Sequence, residues 1–164
     1  MLGSHYFMGK PPYKHDRKKG VELLNQAAEL GSEAAHHLLG LAHANGEGTE
    51  KNEKKALSHL RLAAIGGMLE ARYGLGKAYI ESSPELAYKH FLIAAEAGHD
   101  DSLKQVKTGY TEGHVEKDSF EKVLRAHRAV KEEVKSEARE KAAEWYRKSE
   151  AKEKAAEWYR RAAN

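Results

Sequence analysis

The chain has 164 residues, 40% of them hydrophobic and 32% charged, with a net charge of +3 and no cysteine. That length suits one elongated domain, and the lack of cysteine removes disulfides and thiolate chemistry together. Residues 1–98 carry 12 basic and 11 acidic groups, so there is no concentrated basic stripe to bind phosphate, and nucleic acid is not an expected partner.

In chain order the sequence reads as repeated pairs of helices. Residues 1–31 are expected to be a partial repeat, in which Tyr6 and Gly9 look like the end of a lost helix. Residues 32–67 form a first complete repeat and 68–98 a second with a shorter loop. Residues 99–138 form a diverged third repeat that caps the array, and 139–164 a charged helix. Ala35, Leu39 and Gly40 fall on Ala71, Leu75 and Gly76 at an offset of 36 residues. The segment from Lys19 to Gly31 falls on Lys55 to Gly67 at the same offset, then on Leu86 to Gly98 at 31. Units of this period cannot bury their apolar faces alone and must stack on their neighbours, which offers a surface rather than a catalytic cleft. Five residues are lost where Asn45 to Asn52 of the long version becomes Glu81 to Ser83. Deletions fall in loops, so this places the connection between the two helices.

The punctuation has physical causes. Asp16, Asn52, Ser83 and Asp118 each stand just before the second helix of a pair, where a short polar side chain accepts from free backbone N–H groups. Pro84 follows Ser83 at the helical position that tolerates proline. Gly31, Gly67 and Gly98 close these helices with the left-handed residue that ends a helix at little cost. In the first helices, Ala35, Leu39 and Ala42 share one face, as do Ala71, Leu75 and Ala78. Gly40 and Gly76 let adjacent helices approach closely.

At these residues the chain resembles the Sel-one-like repeat (SLR) family, a relative of the tetratricopeptide repeats. Gly46, Gly48 and Asn52 match the family's turn, with Thr49 where valine is usual, and Tyr110, Gly113, Val115 and Asp118 match it again. The third repeat departs most, with Lys107 at the glycine position and Val130 and Lys131 where an alanine pair is usual. The resemblance implies an all-α fold: a right-handed α-solenoid of antiparallel helix pairs with a long charged C-terminal helix.

That last helix has support of its own. From Ser119 to Asn164 there is no Gly or Pro, and Glu stands four places ahead of Lys or Arg in five pairs: Glu121 and Arg125, Glu137 and Lys141, Glu144 and Lys148, Glu150 and Lys154, Glu157 and Arg161. Each pair in that orientation stabilises a helix by about 0.2–0.5 kcal/mol. One long helix, or two with a break near Ser149, is expected. Phe120, Val123, His127, Val130, Val134 and Ala138 make an apolar stripe to cover the last repeat. Within this helix the string Glu-Lys-Ala-Ala-Glu-Trp-Tyr-Arg occurs at 140–147 and again at 153–160. It is close to the family's second-helix pattern, yet the copies leave no room for a first helix between them. A 13-residue step on one helix turns the face by about 220°, so Trp145 pairs with Tyr159 rather than Trp158 on a stripe. Two readings stay open: a tandem duplication or engineered extension, or an added docking surface, including one for another copy of the chain.

Several fragments imitate catalytic motifs. Ser119 to Lys122 and Ser149 to Lys152 fit S-x-x-K, and Lys107-Thr108-Gly109 fits K-T-G, the pair used by penicillin-recognising serine enzymes. The order is wrong, no S-D-N occurs, and K-T-G falls in a helical repeat rather than on a strand. A β-lactamase-like hydrolase is therefore a distant third reading, and no catalytic residue is assigned. Ten histidines raise metal binding, with His36, His37 and His43 the best cluster, but no H-E-x-x-H or Cys/His ligand spacing exists. No metal or cofactor is expected. His59 and His90 stand where the family carries tryptophan and read as packed aromatic substitutes.

Recognition is what remains. The first helices of such pairs tend to line the concave side. At 100° per residue, His37, Leu41 and Ala44 point away from the Ala35 core direction. Their equivalents are Tyr73, Lys77 and Ile80, then Lys104, Thr108 and Thr111. Aromatic and apolar members between basic ones suit an acidic or amphipathic peptide. The first expectation is thus a non-catalytic protein-binding adaptor or scaffold, and the alternative a structural module that self-associates through residues 139–164. No apolar run approaches the roughly 18 residues of a membrane span. The start, Met1 to His5, lacks a signal peptide's basic and apolar regions, so a cytoplasmic location is expected.

Overall fold

Each long periodic segment forms a helix. A computed structural model describes residues 2–8 and 16–162, apart from the side chains of Tyr146 and of residues 149–162. Among these residues are eight helices and no strand: α1 (Leu2–Met8), α2 (Arg17–Glu29), α3 (Glu33–Asn45), α4 (Glu53–Ile65), α5 (Leu69–Tyr79), α6 (Pro84–Glu96), α7 (Asp100–Thr111) and α8 (Lys117–Ala162). Two compact units divide the chain, Met1–His127 and Arg128–Asn164.

In the first unit, helices that follow one another in sequence pack on one another, from α1 on α2 through to α6 on α7. The repeat is visible in what is buried. Ala35 and Leu39 of α3, Ala71 and Leu75 of α5, and Ser102 and Val106 of α7 occupy equivalent turns and are all excluded from water. So are the alanine pairs Ala63 and Ala64 and Ala94 and Ala95. Gly40 faces Leu60 and Gly76 faces Phe91 across the helix pairs. A Cβ on Gly76 would lie 2.4 Å from the Phe91 ring, and one on Gly40 2.8 Å from Leu60 Cγ, so the small residues set the helix spacing.

Most caps follow the chemistry of the residues. Asp16 accepts from the Lys19 N–H and Asn52 from the Lys55 N–H, both at 3.0 Å. Gly31, Gly67 and Gly98 take φ of 82°, 92° and 94°, the left-handed conformation that closes a helix. Ser83 precedes Pro84 but its side chain makes no capping bond. Asp118 corrects the expectation: α8 begins one residue earlier, at Lys117, and Asp118 sits in the first turn, where its charge still complements the helix dipole.

Other differences have local causes. The lost helix expected near Tyr6 is present as α1, whose Gly3 and Phe7 are buried; Gly9 lies outside the described residues. Ala78 is exposed rather than buried, because α5 has 11 residues against 13 in α3 and Ala78 falls in its last turn, beside the shortened loop. Lys107 is exposed, and in α7 the close approach moves to Gly109, where a Cβ would lie 2.2 Å from the Tyr88 ring.

α8 is one helix without a break at Ser149. Its first turns seal the first unit: Phe120 stacks on Tyr110 at 4.4 Å, and Val123 and His127 are buried. The covering stripe ends there, since Val134 is 60% exposed and Ala138 is exposed as well. In the second unit Glu137 pairs with Lys141 at 3.5 Å and Glu144 with Lys148 at 2.7 Å. Glu121 pairs with Lys117 at 3.8 Å. The pairs expected of Glu150 and Glu157, and the stripe expected of Trp158 and Tyr159, involve side chains outside the described residues.

Candidate functional site

A groove of about 740 Å³ lies in the first unit, within the 300–1,000 Å³ typical of ligand sites. Three successive helices line it: His37, Leu41 and Ala44 from α3, Ala56, Leu57 and Leu60 from α4, and Glu70, Tyr73, Gly74, Lys77 and Ala78 from α5. Lys51 and Glu53 before and at the start of α4, and His99 and Asp101 at the start of α7, complete the rim. The interior is mainly aliphatic, and the rim carries both signs of charge.

Gly74 keeps this space open. A Cβ there would lie 3.5 Å from Leu60 Cδ1 and Cδ2, an ordinary contact, so packing does not forbid a side chain at this position. Any larger group would occupy the groove. The equivalent position in the preceding repeat is Leu38, and this break in the repeat is the sequence signal that marks the groove.

The column read from helical phase divides in the structure. His37, Leu41, Tyr73 and Lys77, with Ala44, come together on the groove. Ile80 lies past the end of α5 and packs partly buried against the cluster of Tyr88, Phe91 and Val106. Lys104 is exposed and pairs with Asp101 at 2.8 Å, which holds the Asp101 carboxyl below its ordinary range and raises the Lys104 ammonium. Thr108 donates to the Lys104 carbonyl at 3.2 Å, a bond within its own helix. Tyr73 is half-buried, its ring 5.7 Å from Phe91 and 5.3 Å from His99. It therefore serves the core as well as the groove.

His99 has a part that sequence reasoning missed. It caps α7, its Nδ1 accepting from the Ser102 N–H at 3.1 Å with Ser102 Oγ at 2.9 Å. That fixes the proton on Nε2 and sets the ring against Tyr73. Leu57 and Leu60 were also missed, because only tertiary packing shows that a second helix floors the space between two first helices.

The histidine cluster is rearranged. His36 and His43 of α3 join His59 of α4, while His37 turns to the groove. His36 and His59 place their Nδ1 atoms 3.0 Å apart, one ring donating to the other, and His43 stacks on His59 at 5.7 Å and 5°. His90 stacks likewise on Tyr79 at 6.0 Å. Among the described residues no three such side chains meet as a metal site requires. Burial, and then the nearby His36, His43 and Lys55, lower the His59 pKa; burial lowers His37 against the opposing pull of Glu70; burial and then Arg72 and Arg61 lower His90.

A pH dependence follows. These imidazoles take protons in the unfolded chain near the ordinary value of about 6.5 but only at lower pH in the folded one. Between the two values the unfolded state holds more protons, so stability is full above the ordinary value and falls as pH falls. The Tm is expected to drop from pH 7.5 toward pH 5, and His59→Phe, which keeps an aromatic ring at the stack, should flatten part of the slope. A Tm that is level across this range would contradict the assignment.

Known proteins supply a frame for this geometry. The family profile described as the Sel1 repeat matches residues 1–32, 33–68, 70–99, 135–152 and 151–164. An uncharacterised protein of Neisseria meningitidis serogroup B is 30% identical over 118 residues, which is 71% of this chain and 25% of that protein. Two crystal structures share the fold. One, a protective antigen present in uropathogenic Escherichia coli strains and displaying an SLR fold, superposes with a TM-score of 0.68 at 29% identity, over 80% of this chain and 29% of its own. The other, a Sel1 repeat protein from Oxalobacter formigenes, gives 0.66 at 24% identity, over 78% of this chain and 56% of its own. The chain thus spans a quarter to about half the length of these relatives.

Proposed function

The chain belongs to the Sel1 repeat family, and from that premise we propose that it is a non-catalytic interaction scaffold whose groove between α3 and α5 holds an amphipathic segment of a partner protein. Sel1 repeats are typically protein–protein interaction modules. The observation that carries the reading here is the groove itself: an aliphatic trough kept open by Gly74 and rimmed by Lys51 and Lys77 on the one hand and Glu53 and Glu70 on the other. Apolar anchors would enter it and mixed charges at the rim would set their register. The hydrolase reading loses its geometric basis, because Lys107-Thr108-Gly109 lies within α7 rather than on a strand. Among the described residues no helix is long and apolar enough to cross a membrane. In this reading the repeats at 32–67 and 68–98 form the binding body, and Lys104 and Thr108 extend the surface beyond the groove.

The test is selection of displayed peptides on the full chain, followed by binding measurements on variants. Leu41→Asp and Lys77→Glu should each weaken the selected peptides about tenfold or more, the range of an interface anchor, with the far-surface variant Glu85→Ala as an unaffected control. The two should differ in salt response. Leu41 contributes apolar contact and its loss should be insensitive to ionic strength, whereas the charge of Lys77 is screened beyond about 8 Å at physiological salt. Peptides that bind both variants normally would move the site off the groove.

A further inference from the structure

We infer that Arg61, Arg72 and Tyr79 form a second binding site, on the side of α5 away from the groove, for a phosphate monoester or a free phosphate ion. The site is independent of the groove. At 100° per residue Arg72 and Tyr79 share one flank of α5, about 140–160° around the helix from Lys77. Arg61 reaches them from α4, its Nη2 donating to the Tyr79 hydroxyl, and Tyr79 stacks in turn on His90 of α6 at 6.0 Å and 12°. Three successive helices meet here.

The repeat supplies an internal control. At the offsets of 36 and 31 residues, Arg72, Tyr79 and His90 stand where the preceding repeat has His36, His43 and His59. The stacked pair is kept, since His43 lies on His59 at 5.7 Å and 5°. The remaining member is not. His36 and His59 bond one another, their Nδ1 atoms 3.0 Å apart, whereas Arg72 brings a permanent charge and His90 Nδ1 is buried without a partner. Arg61 and Arg72 have no guanidinium equivalents in the neighbouring repeats, which carry Asn25 and Leu92, His36 and Leu103. The two cations are thus a feature of this one place in the array.

Charge says what such a site takes. Among the described residues no carboxylate pairs with either guanidinium. Arg61 is exposed and Arg72 half-buried, so an anion can reach the one and offset the desolvation of the other. A guanidinium has donors to spare after one bond to Tyr79, and the Tyr79 hydroxyl, which accepts there, keeps its own proton to donate. A carboxylate or a phosphodiester would neutralise only one of the two charges. A phosphate monoester carries about −1.5 to −2 at neutral pH and presents several acceptor oxygens, which matches two forked guanidiniums and a hydroxyl.

Inorganic phosphate and sulfate are the probes, titrated into the full chain at constant ionic strength and followed by calorimetry and by Tm. Both should bind and raise the Tm where acetate does not. Arg61→Gln and Arg72→Gln should each weaken binding at least tenfold, whereas Lys18→Gln, which removes an exposed cation on α2, should leave it unchanged. Because Arg61 is exposed, its replacement tests the site without disturbing the core. Phosphoserine that binds more tightly than inorganic phosphate would assign the site to an ester on a partner, and the reverse order to the free ion. Sulfate, whose charge is constant across the working pH range, adds a further readout. The groups that face His90 are Arg61 of α4 and Arg72 and Tyr79 of α5, and burial, then Arg72 and Arg61, lower its pKa. An anion held by the guanidiniums removes part of that repulsion, so sulfate should bind more tightly as pH falls from 7.5 toward 5. His90→Phe, which keeps a ring on Tyr79, should flatten that dependence. Acetate that stabilises as well as sulfate, arginine variants that bind normally, or a pH slope that survives His90→Phe would each overturn the site.

Discussion

Leu75→Ala is expected to cost about 2–5 kcal/mol, the transfer of a buried leucine plus the cavity it leaves, a large fraction of the chain's stability. Leu75 is 1% exposed, in a cluster whose other buried members are Leu60, Ala63, Ala64 and Ala71. Three of those four are alanines, with no side-chain freedom to close a void. A small domain has about 5–15 kcal/mol in total, and a stack of helix pairs has no second layer to compensate. Leu41→Ala in the preceding first helix is the contrast. It is 38% exposed on the groove wall and should cost much less than Leu75→Ala. Urea unfolding of both variants checks the difference. A loss below about 1 kcal/mol for Leu75→Ala would mean that the register of the repeats is wrong. The same cluster positions the groove, since it joins α4 to α5 and Leu60 belongs to both the cluster and the groove floor.

What the sequence disclosed was what local chemistry encodes. The period, the caps Asp16 and Asn52, the closing glycines and the close approaches at Gly40 and Gly76 depend on neighbours within one helix pair. Helical phase was enough to place His37, Leu41, Tyr73 and Lys77. It failed at Ile80, which keeps helical angles at the end of α5 but is covered by the Tyr88, Phe91 and Val106 cluster, and at Ala78, where a shortened loop alters what covers the last turn. Leu57, Leu60, His99 and Asp101 reach the groove only because other helices stack beside it, and pairwise repeat alignment carries no such information. The covering stripe on α8 is expected from its period to run through Val130 and Val134 to Ala138, but Val130 is only partly buried and Val134 and Ala138 are exposed, because period alone does not say how far the covered surface extends.

The sharpest contrast lies two residues apart in α5. Gly74→Ala should stabilise the chain by about 0.5–1 kcal/mol, the gain from replacing a helical glycine, because the new Cβ meets Leu60 at 3.5 Å. Gly76→Ala gains the same propensity but should destabilise by about 1–3 kcal/mol on balance. Its Cβ would fall 2.4 Å from the ring of Phe91, which is fully buried and has no free volume to retreat into. The ring must move or the helices must part, and either strains the α5 and α6 pair. Phe91→Leu should relieve part of the strain, so the double variant should lose less than the sum of the single losses, and that non-additivity is the mark of direct contact. Thermal unfolding of the four variants against the wild type decides it, and equal losses for Gly74→Ala and Gly76→Ala would show that neither glycine is placed by its neighbours. The two glycines then have separate roles: Gly76 lets the helices close, and Gly74, free to be alanine, leaves the groove open to a guest.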